Sequence, residues 1–352
     1  MNYARVRSLT NLISDRLQAL PLMVVYLTDG CNSRCAMCDI WKSPRCNMDL
    51  ALVAELVAAG RQLNTQMVLL SGGEAMQHPR WPEIAQQFRD AGIKVWLLTN
   101  GLLLKKQAPE VLATCDLVTV SLDAATSELY AKIRGVDALD LILTGIQEVC
   151  ALGVPIHTRT TVMRANFRQI PLIVDTALAA GADSTSFLPV DSSNPFAFGP
   201  RFAQDSAIPL ANQTEPDPYG PLLESDLPDF WDIIEALMHT HRDHFADGRI
   251  AESPDKIRQL YAYFAAPYGH ATFQPPRCNA PHVSMVVNVD GTLQPCFFLP
   301  ATGKLQGQAL KQAINSPETI GMRQAYRQGE RHECDRCVCP LYRGPRGLLR
   351  GF

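Results

Sequence analysis

At 352 residues and 47% hydrophobic content, the chain can bury one large core with an appendage, or two ordinary cores. Thirty-two Lys and Arg against 35 Asp and Glu leave a formal charge of −3, so no overall basic field draws it to nucleic acid or another polyanion. Arg5 and Arg7 are followed by no apolar run long enough for a signal peptide or a membrane span, which reads as a cytoplasmic chain.

Val6, Leu9, Leu12, Ile13 and Leu17 recur at helical spacing and predict an amphipathic helix over 1–21 that caps the body. From 22 to 190 short apolar runs alternate with helical patterns, the signature of a parallel α/β sheet. The predicted strands are 22–28, 66–71, 93–99, 116–122, 155–162 and 184–190. Helices fill 48–62, 81–91, 107–114, 125–133, 138–152 and 167–180. Six such units suit a partial (β/α)6 TIM-like barrel, with a doubly wound sheet as the alternative. Residues 191–277, with Pro195, Pro200, Pro209, Pro216, Pro218 and Pro221, read as a connecting segment leading to a helix near 227–246. The stretch 282–300 predicts a β-hairpin turning at Asp290-Gly291, with Cys296 on its second strand. A helix near 307–327 follows, so 278–352 forms a C-terminal domain of hairpin plus helix.

Eleven cysteines without an export signal favour metal or redox chemistry over a disulfide framework. Three of them crowd one loop, "DGCNSRCAMCDIW" (29–41), as Cys31, Cys35 and Cys38. Cys278, Cys296, Cys334, Cys337 and Cys339 gather near the end of the chain. Cys46, Cys115 and Cys150 read as small buried hydrophobes. Three thiolates with no nearby histidine make a poor tetrahedral zinc site, whereas an iron–sulfur cluster can leave one iron open to a ligand. Strand ends over one face carry "SGGE" (71–74), "TNG" (99–101) and "SLD" (121–123), where an α/β protein binds its ligands.

Cys31-x3-Cys35-x2-Cys38 after a first strand resembles the signature of the radical S-adenosylmethionine (SAM) enzymes. The resemblance continues through "GGE" (Gly72 to Glu74), "TNG", "SLD" and "IRG" (Ile133 to Gly135). It implies a [4Fe–4S] cluster held by Cys31, Cys35 and Cys38, with SAM's amino and carboxylate groups on the fourth iron. One electron then cleaves SAM to methionine and a 5′-deoxyadenosyl radical, which takes hydrogen from the substrate. Gly72 and Gly73 would approach the SAM ammonium and Glu74 offset its charge. Asn100 and Ser121 would reach ribose hydroxyls and Arg134 the carboxylate, while Met37, Leu188 and Phe187 would border the adenine. Ala75 stands where the family commonly has proline.

The terminal cysteines resemble the auxiliary-cluster appendages of the same family, called SPASM with two clusters and twitch with one. Five thiols are too few for two fully cysteine-ligated clusters, so one auxiliary [4Fe–4S] cluster is implied. Its ligands would be Cys278, Cys296, Cys334 and Cys337, with Cys339 able to replace Cys337. Arg331, Arg336, Arg343, Arg346 and Arg350 around it would favour an anionic cluster or dock an acidic electron donor of the flavodoxin or ferredoxin type.

The expected activity is an oxidative modification of a small molecule or peptide, with a peptide maturase as one alternative. A non-catalytic iron–sulfur carrier and a zinc-dependent binding protein are the others. About 20 residues precede the barrel, leaving no room there for a leader-peptide or cobalamin domain. Related enzymes place an aspartate after the hairpin cysteine, but here Phe297 follows Cys296. His157, Arg159 and Asp191 are the candidate catalytic side chains.

Overall fold

The computed structural model describes residues 3–191, 194, 217–305 and 309–351. Pro195, Pro200, Pro209 and Pro216 of the connecting segment lie outside the described residues, as do 306–308 at the start of the predicted last helix. Helix α1 (Tyr3–Thr10) is shorter than the sequence pattern predicts. It stops before Asn11, whose buried side chain donates to the carbonyls of Ala19 and His282 and accepts from Gln18 N. Those bonds hold 11–20 as a strap, so Leu17 is fully buried without being helical while Ile13 is 85% exposed.

Six parallel strands build the body: β1 (Leu22–Thr28), β2 (Met67–Gly72), β3 (Lys94–Thr99), β4 (Leu117–Ser121), β5 (Ile156–Val162) and β6 (Ser184–Pro189). Between them run α2 (Leu50–Gln62), α3 (Trp81–Asp90), α4 (Ala108–Thr114), α5 (Ser127–Arg134), α6 (Leu139–Ala151) and α7 (Ile170–Ala179). The strands lie in the order β6-β5-β4-β3-β2-β1, each beside its predecessor. A doubly wound sheet reverses direction at a switch point; this order never does, which is the partial barrel.

Alternation shows which face is which. Along β5, Ile156, Thr158, Thr160 and Val162 are buried, whereas His157, Arg159 and Thr161 are half-buried. Along β1, Met23, Val25 and Leu27 are fully buried and Val24 and Tyr26 are half-buried. The closed face packs under the helices, where each Val, Leu or Ile contributes roughly 1.5–3 kcal/mol. The open face lines a lumen.

The connecting segment holds α8 (Leu227–Thr240), α9 (Arg242–Ala246) and α10 (Pro254–Ala265). The predicted single helix breaks at His241, and the sequence reading missed α10. Beyond it lies α11 (Ala280–Val283). Then β7 (Ser284–Val287) pairs in parallel with β1, and β8 (Thr292–Gln294) and β9 (Gly303–Lys304) follow antiparallel. The C-terminal hairpin thus extends the barrel sheet itself. Cys296 lies just past β8 rather than on it. The predicted last helix is split into α12 (Leu310–Ala313) and α13 (Pro317–Arg327), because Asn315 caps toward Leu17 and Ser316 starts a new helix. Helix α14 (Pro345–Arg350), also unpredicted, packs on α1. Among the described residues no helix is long and apolar enough to cross a membrane.

Candidate functional site

The loop leaving β1 is seated by its neighbours' backbone. Gly73 N donates to Thr28 O at 2.7 Å and Glu74 N to Gly30 O at 2.9 Å; Arg34 N bonds Arg134 O at 3.1 Å and Ala36 N bonds Ile133 O at 2.9 Å. A methyl group on Gly72 would strike the Thr28 carbonyl, and its φ of +128° already demands glycine. One on Gly73 would meet the Gly30 carbonyl and come within 2.7 Å of Asp29 O, and one on Gly135 within 2.6 Å of Arg34 O. The glycines that the resemblance assigns to a ligand's ammonium are therefore first the seats of the cysteine loop.

Glu74 is 2% exposed and welds two strand ends: it accepts from Met76 N at 3.1 Å, Thr99 Oγ1 at 2.9 Å and Asn100 N at 2.7 Å. Burial pushes its carboxyl pKa up, against the pull of those donors. The Asn100 side-chain amide donates to Asn32 Oδ1 at 2.7 Å and reaches Cys31 Sγ at 3.8 Å. Arg134 is buried, its Nη1 2.9 Å from Asp123 Oδ2, and Asp123 Oδ1 takes Thr161 N at 2.7 Å. Arg134 Nε has no partner among the described residues, although the guanidinium is within electrostatic reach of Cys35 and Cys31. Ser121 and Leu188 lie half-buried on the lumen face, and Met37 is buried inside the loop. Phe187 points the other way, into the core, as the β6 alternation requires. Asp191 is buried just past β6.

The sulfurs show how the thiols are meant to be used. Cys31 Sγ accepts Ser33 N at 3.4 Å and Cys278 Sγ accepts Ala280 N at 3.4 Å. The backbone amides of Ile40, Phe298 and Cys339 pull the pKa of Cys38, Cys296 and Cys337 down, in the same two-residue relation. Such donors stabilise metal-bound thiolates and tune iron–sulfur potentials. Burial pushes the thiols up, Cys38 to about 12, so a cationic metal centre is what would keep them ionised. Among the described residues no three His, Cys, Asp or Glu side chains close tightly enough to hold a single ion. Thiolates are the ligands that iron–sulfur clusters take, so it is the chemistry of this donor set that suits a cluster.

The five C-terminal thiols come within electrostatic reach of one another although the first and last are 61 positions apart in the chain. Cys296 is within electrostatic reach of Cys278, Cys339 and Cys334, and Cys337 of Cys296, Cys339 and Cys278. The segments are tied by Tyr326 Oη to Cys278 O at 2.6 Å and by the Asn279 side chain to the Arg343 amide and carbonyl at 2.9 and 3.0 Å. Cys337 is buried and Cys339 exposed. Of the nearby arginines, Arg331 bonds Glu333 and its charge opposes the upward push of burial on the Cys334 thiol, Arg336 bonds Tyr263 O and lies over its ring, and Arg343 bonds Gly351 O. Elsewhere Cys115 is buried and Cys150 half-buried, but Cys46 is exposed, correcting its reading as core: its carbonyl binds Asp29 N and Thr28 Oγ1 while the thiol faces solvent.

Sequence reasoning missed Tyr26. It stands on the lumen face of β1 between the two thiol sets, within electrostatic reach of Cys38, Cys339 and Cys296, with its ring 6.0 Å from that of Phe297. Burial first, then these neighbours and Asp29, push its phenol pKa up. The signal was available in the alternation of "LMVVYLT" (22–28).

The radical SAM superfamily model matches residues 25–177, and the SPASM iron–sulfur cluster-binding domain model matches 278–338. The chain thus carries a radical SAM domain and, toward its C-terminal end, a SPASM domain. It is 32% identical over 167 residues to a probable GTP 3′,8-cyclase of Sulfurisphaera tokodaii, covering 45% of this chain and 52% of that one. Against the AdoMet-dependent heme synthase of Methanosarcina barkeri it is 30% identical over 169 residues, covering 46% and 48%. The chain thus spans about half the length of the curated relatives it matches. Its fold is shared with Streptococcus suis SuiB bound to S-adenosylmethionine (TM-score 0.63, 15% identity, 96% of this chain and 76% of that one). It is also shared with anSMEcpe bound to AdoMet (TM-score 0.64, 16% identity, 91% and 89%).

Proposed function

We propose that the chain is an enzyme acting oxidatively on a small-molecule or peptide substrate. When bound, SAM and the [4Fe–4S] cluster supply a 5′-deoxyadenosyl radical that removes a hydrogen atom. Cys31, Cys35 and Cys38 would hold that cluster. The observation that carries the reading is the buried guanidinium of Arg134: it lies beside Cys31 and Cys35, and its Nε–H has no partner among the described residues, leaving the donor a carboxylate chelated at that spot would need. Asp123 orients it, Glu74 lends negative charge on the ammonium side, Asn100 and Ser121 offer polar groups to a ribose, and Met37 and Leu188 offer apolar surface.

Cys278, Cys296, Cys334 and Cys337 would hold one auxiliary [4Fe–4S] cluster able to take up an electron. Cys339 stands outside that set because its side chain is exposed whereas that of Cys337 is buried. Phe297 leaves no carboxylate after the hairpin cysteine; Tyr26, against its ring, is the polar group that faces the same space. A peptide substrate is favoured by the solved structures of this fold that hold the precursor peptide SuiA and the Cp18Cys peptide. A flavodoxin or ferredoxin type of donor would supply the electron.

The test is anaerobic reconstitution followed by SAM and a strong reductant. 5′-Deoxyadenosine is the expected product; its absence from fully iron-loaded protein would sink the proposal.

A further inference from the structure

The lumen has two unlike walls. Register sets Thr119, His157 and Ser184 in one row across β4, β5 and β6, and Ser121, Arg159 and Ser186 in the next. Val24, Leu69 and Leu98 stand half-buried on β1, β2 and β3, joined by Trp96, whose Nε1 donates to Thr119 Oγ1 at 2.9 Å. One wall is therefore apolar and the other polar.

On the polar wall Arg159 is half-buried. Its Nε donates to Ser186 Oγ at 3.3 Å, and no acid among the described residues forms an ion pair with it. Arg134, Arg164 and Arg168 are all paired. The acid whose field it shares is Glu252, which spends its carboxyl on Phe187 N at 3.1 Å and is pushed by burial to about 7, so near neutral pH it offsets the guanidinium only in part. One row deeper, His157 bonds Ser184 through Nδ1, leaving Nε2 without a partner among the described residues.

Arg134 already provides the cation at the cysteine end, so a second guanidinium inside the lumen answers to a second anion. We propose that the lumen receives a substrate bearing a phosphate or carboxylate group, seated on Arg159 with Ser186 and His157 beside it. This rests on the radical SAM reading, in which the lumen is the reaction chamber.

The experiment titrates anaerobically reconstituted, SAM-saturated protein with tripolyphosphate and, separately, with citrate by calorimetry. One equivalent of at least one probe should bind, and which one does separates the phosphate source from the carboxylate. Arg159→Gln should weaken that binding at least tenfold and Arg159→Lys less, with SAM affinity unchanged in both. Equal anion binding by Arg159→Gln, or none by the unaltered protein, would overturn the inference. So would a loss of SAM affinity in Arg159→Gln, which would hand the guanidinium to SAM. Iron content and SAM binding are measured on the same samples: failure there overturns the radical SAM reading and this inference with it, whereas intact SAM binding without anion binding overturns this inference alone.

Discussion

The two thiol sets are built by opposite means. Cys31, Cys35 and Cys38 share one eight-residue stretch, and what fixes them is backbone pressed on backbone: Gly72 and Gly73 under residues 28–30, Gly135 under Arg34. Cys278, Cys296 and Cys337 come from separate segments, held by side chains such as Tyr326 and Asn279 that reach across the gaps. A site made from one loop needs its neighbours to be small. A site made from several segments needs its neighbours to be long and polar.

Removing a site altogether is the strongest test of that contrast. Alanine at Cys31, Cys35 and Cys38 together should abolish 5′-deoxyadenosine formation and lower iron from about eight to about four per chain if two [4Fe–4S] sites load independently. Complete loss of iron from a folded variant would show that the two sets form one unit. Next in size, Gly73→Ala drives a methyl group into the Gly30 and Asp29 carbonyls, which cannot rotate away, and should destabilise by about 1–3 kcal/mol in chemical unfolding. The same change at Gly321, inside α13 with nothing within 4 Å of its new methyl, should stabilise by about 0.5–1 kcal/mol. Equal effects at both positions would mean that the loop is not seated by close approach.

Side-chain ties should cost less. Tyr326→Phe removes the 2.6 Å bond to Cys278 O and should cost about 1 kcal/mol, while loosening auxiliary iron and leaving the SAM-site iron in place. Iron loss at the first site instead would contradict the separation.

This contrast also explains what could be read from the sequence. All six barrel strands fall within about two residues of their predicted bounds, because each is a short apolar run closed by a polar or glycine turn. The cysteine loop and the strand-end motifs were legible for the same local reason. The parallel pairing of β7 with β1 was not, since a hairpin signal in 282–300 says nothing of which distant edge it joins. Asn11 ending α1 and Asn315 splitting the last helix are likewise long-range: each side chain bonds backbone far away in the chain. Gly72 and Gly73 show a subtler limit. Their need for closeness was readable, but the partner being approached first, the loop itself, was visible only in three dimensions.

The smallest expected effect bears on the fifth thiol of the auxiliary set. Cys337 is buried and the backbone amide of Cys339 pulls its pKa down, the two-residue relation also found at Cys31, Cys38, Cys278 and Cys296. Cys339 contributes that amide whatever its side chain is, so Cys339→Ser should keep all the auxiliary iron and nearly all the stability. Cys337→Ser should lose the auxiliary iron, because an alcohol is a poor iron ligand beside a thiolate. Should Cys339→Ser empty the site and Cys337→Ser leave it filled, the amide-to-sulfur relation would not mark the ligands, and the spacing of Cys334, Cys337 and Cys339 would have to be read with Cys339 turned inward to the iron.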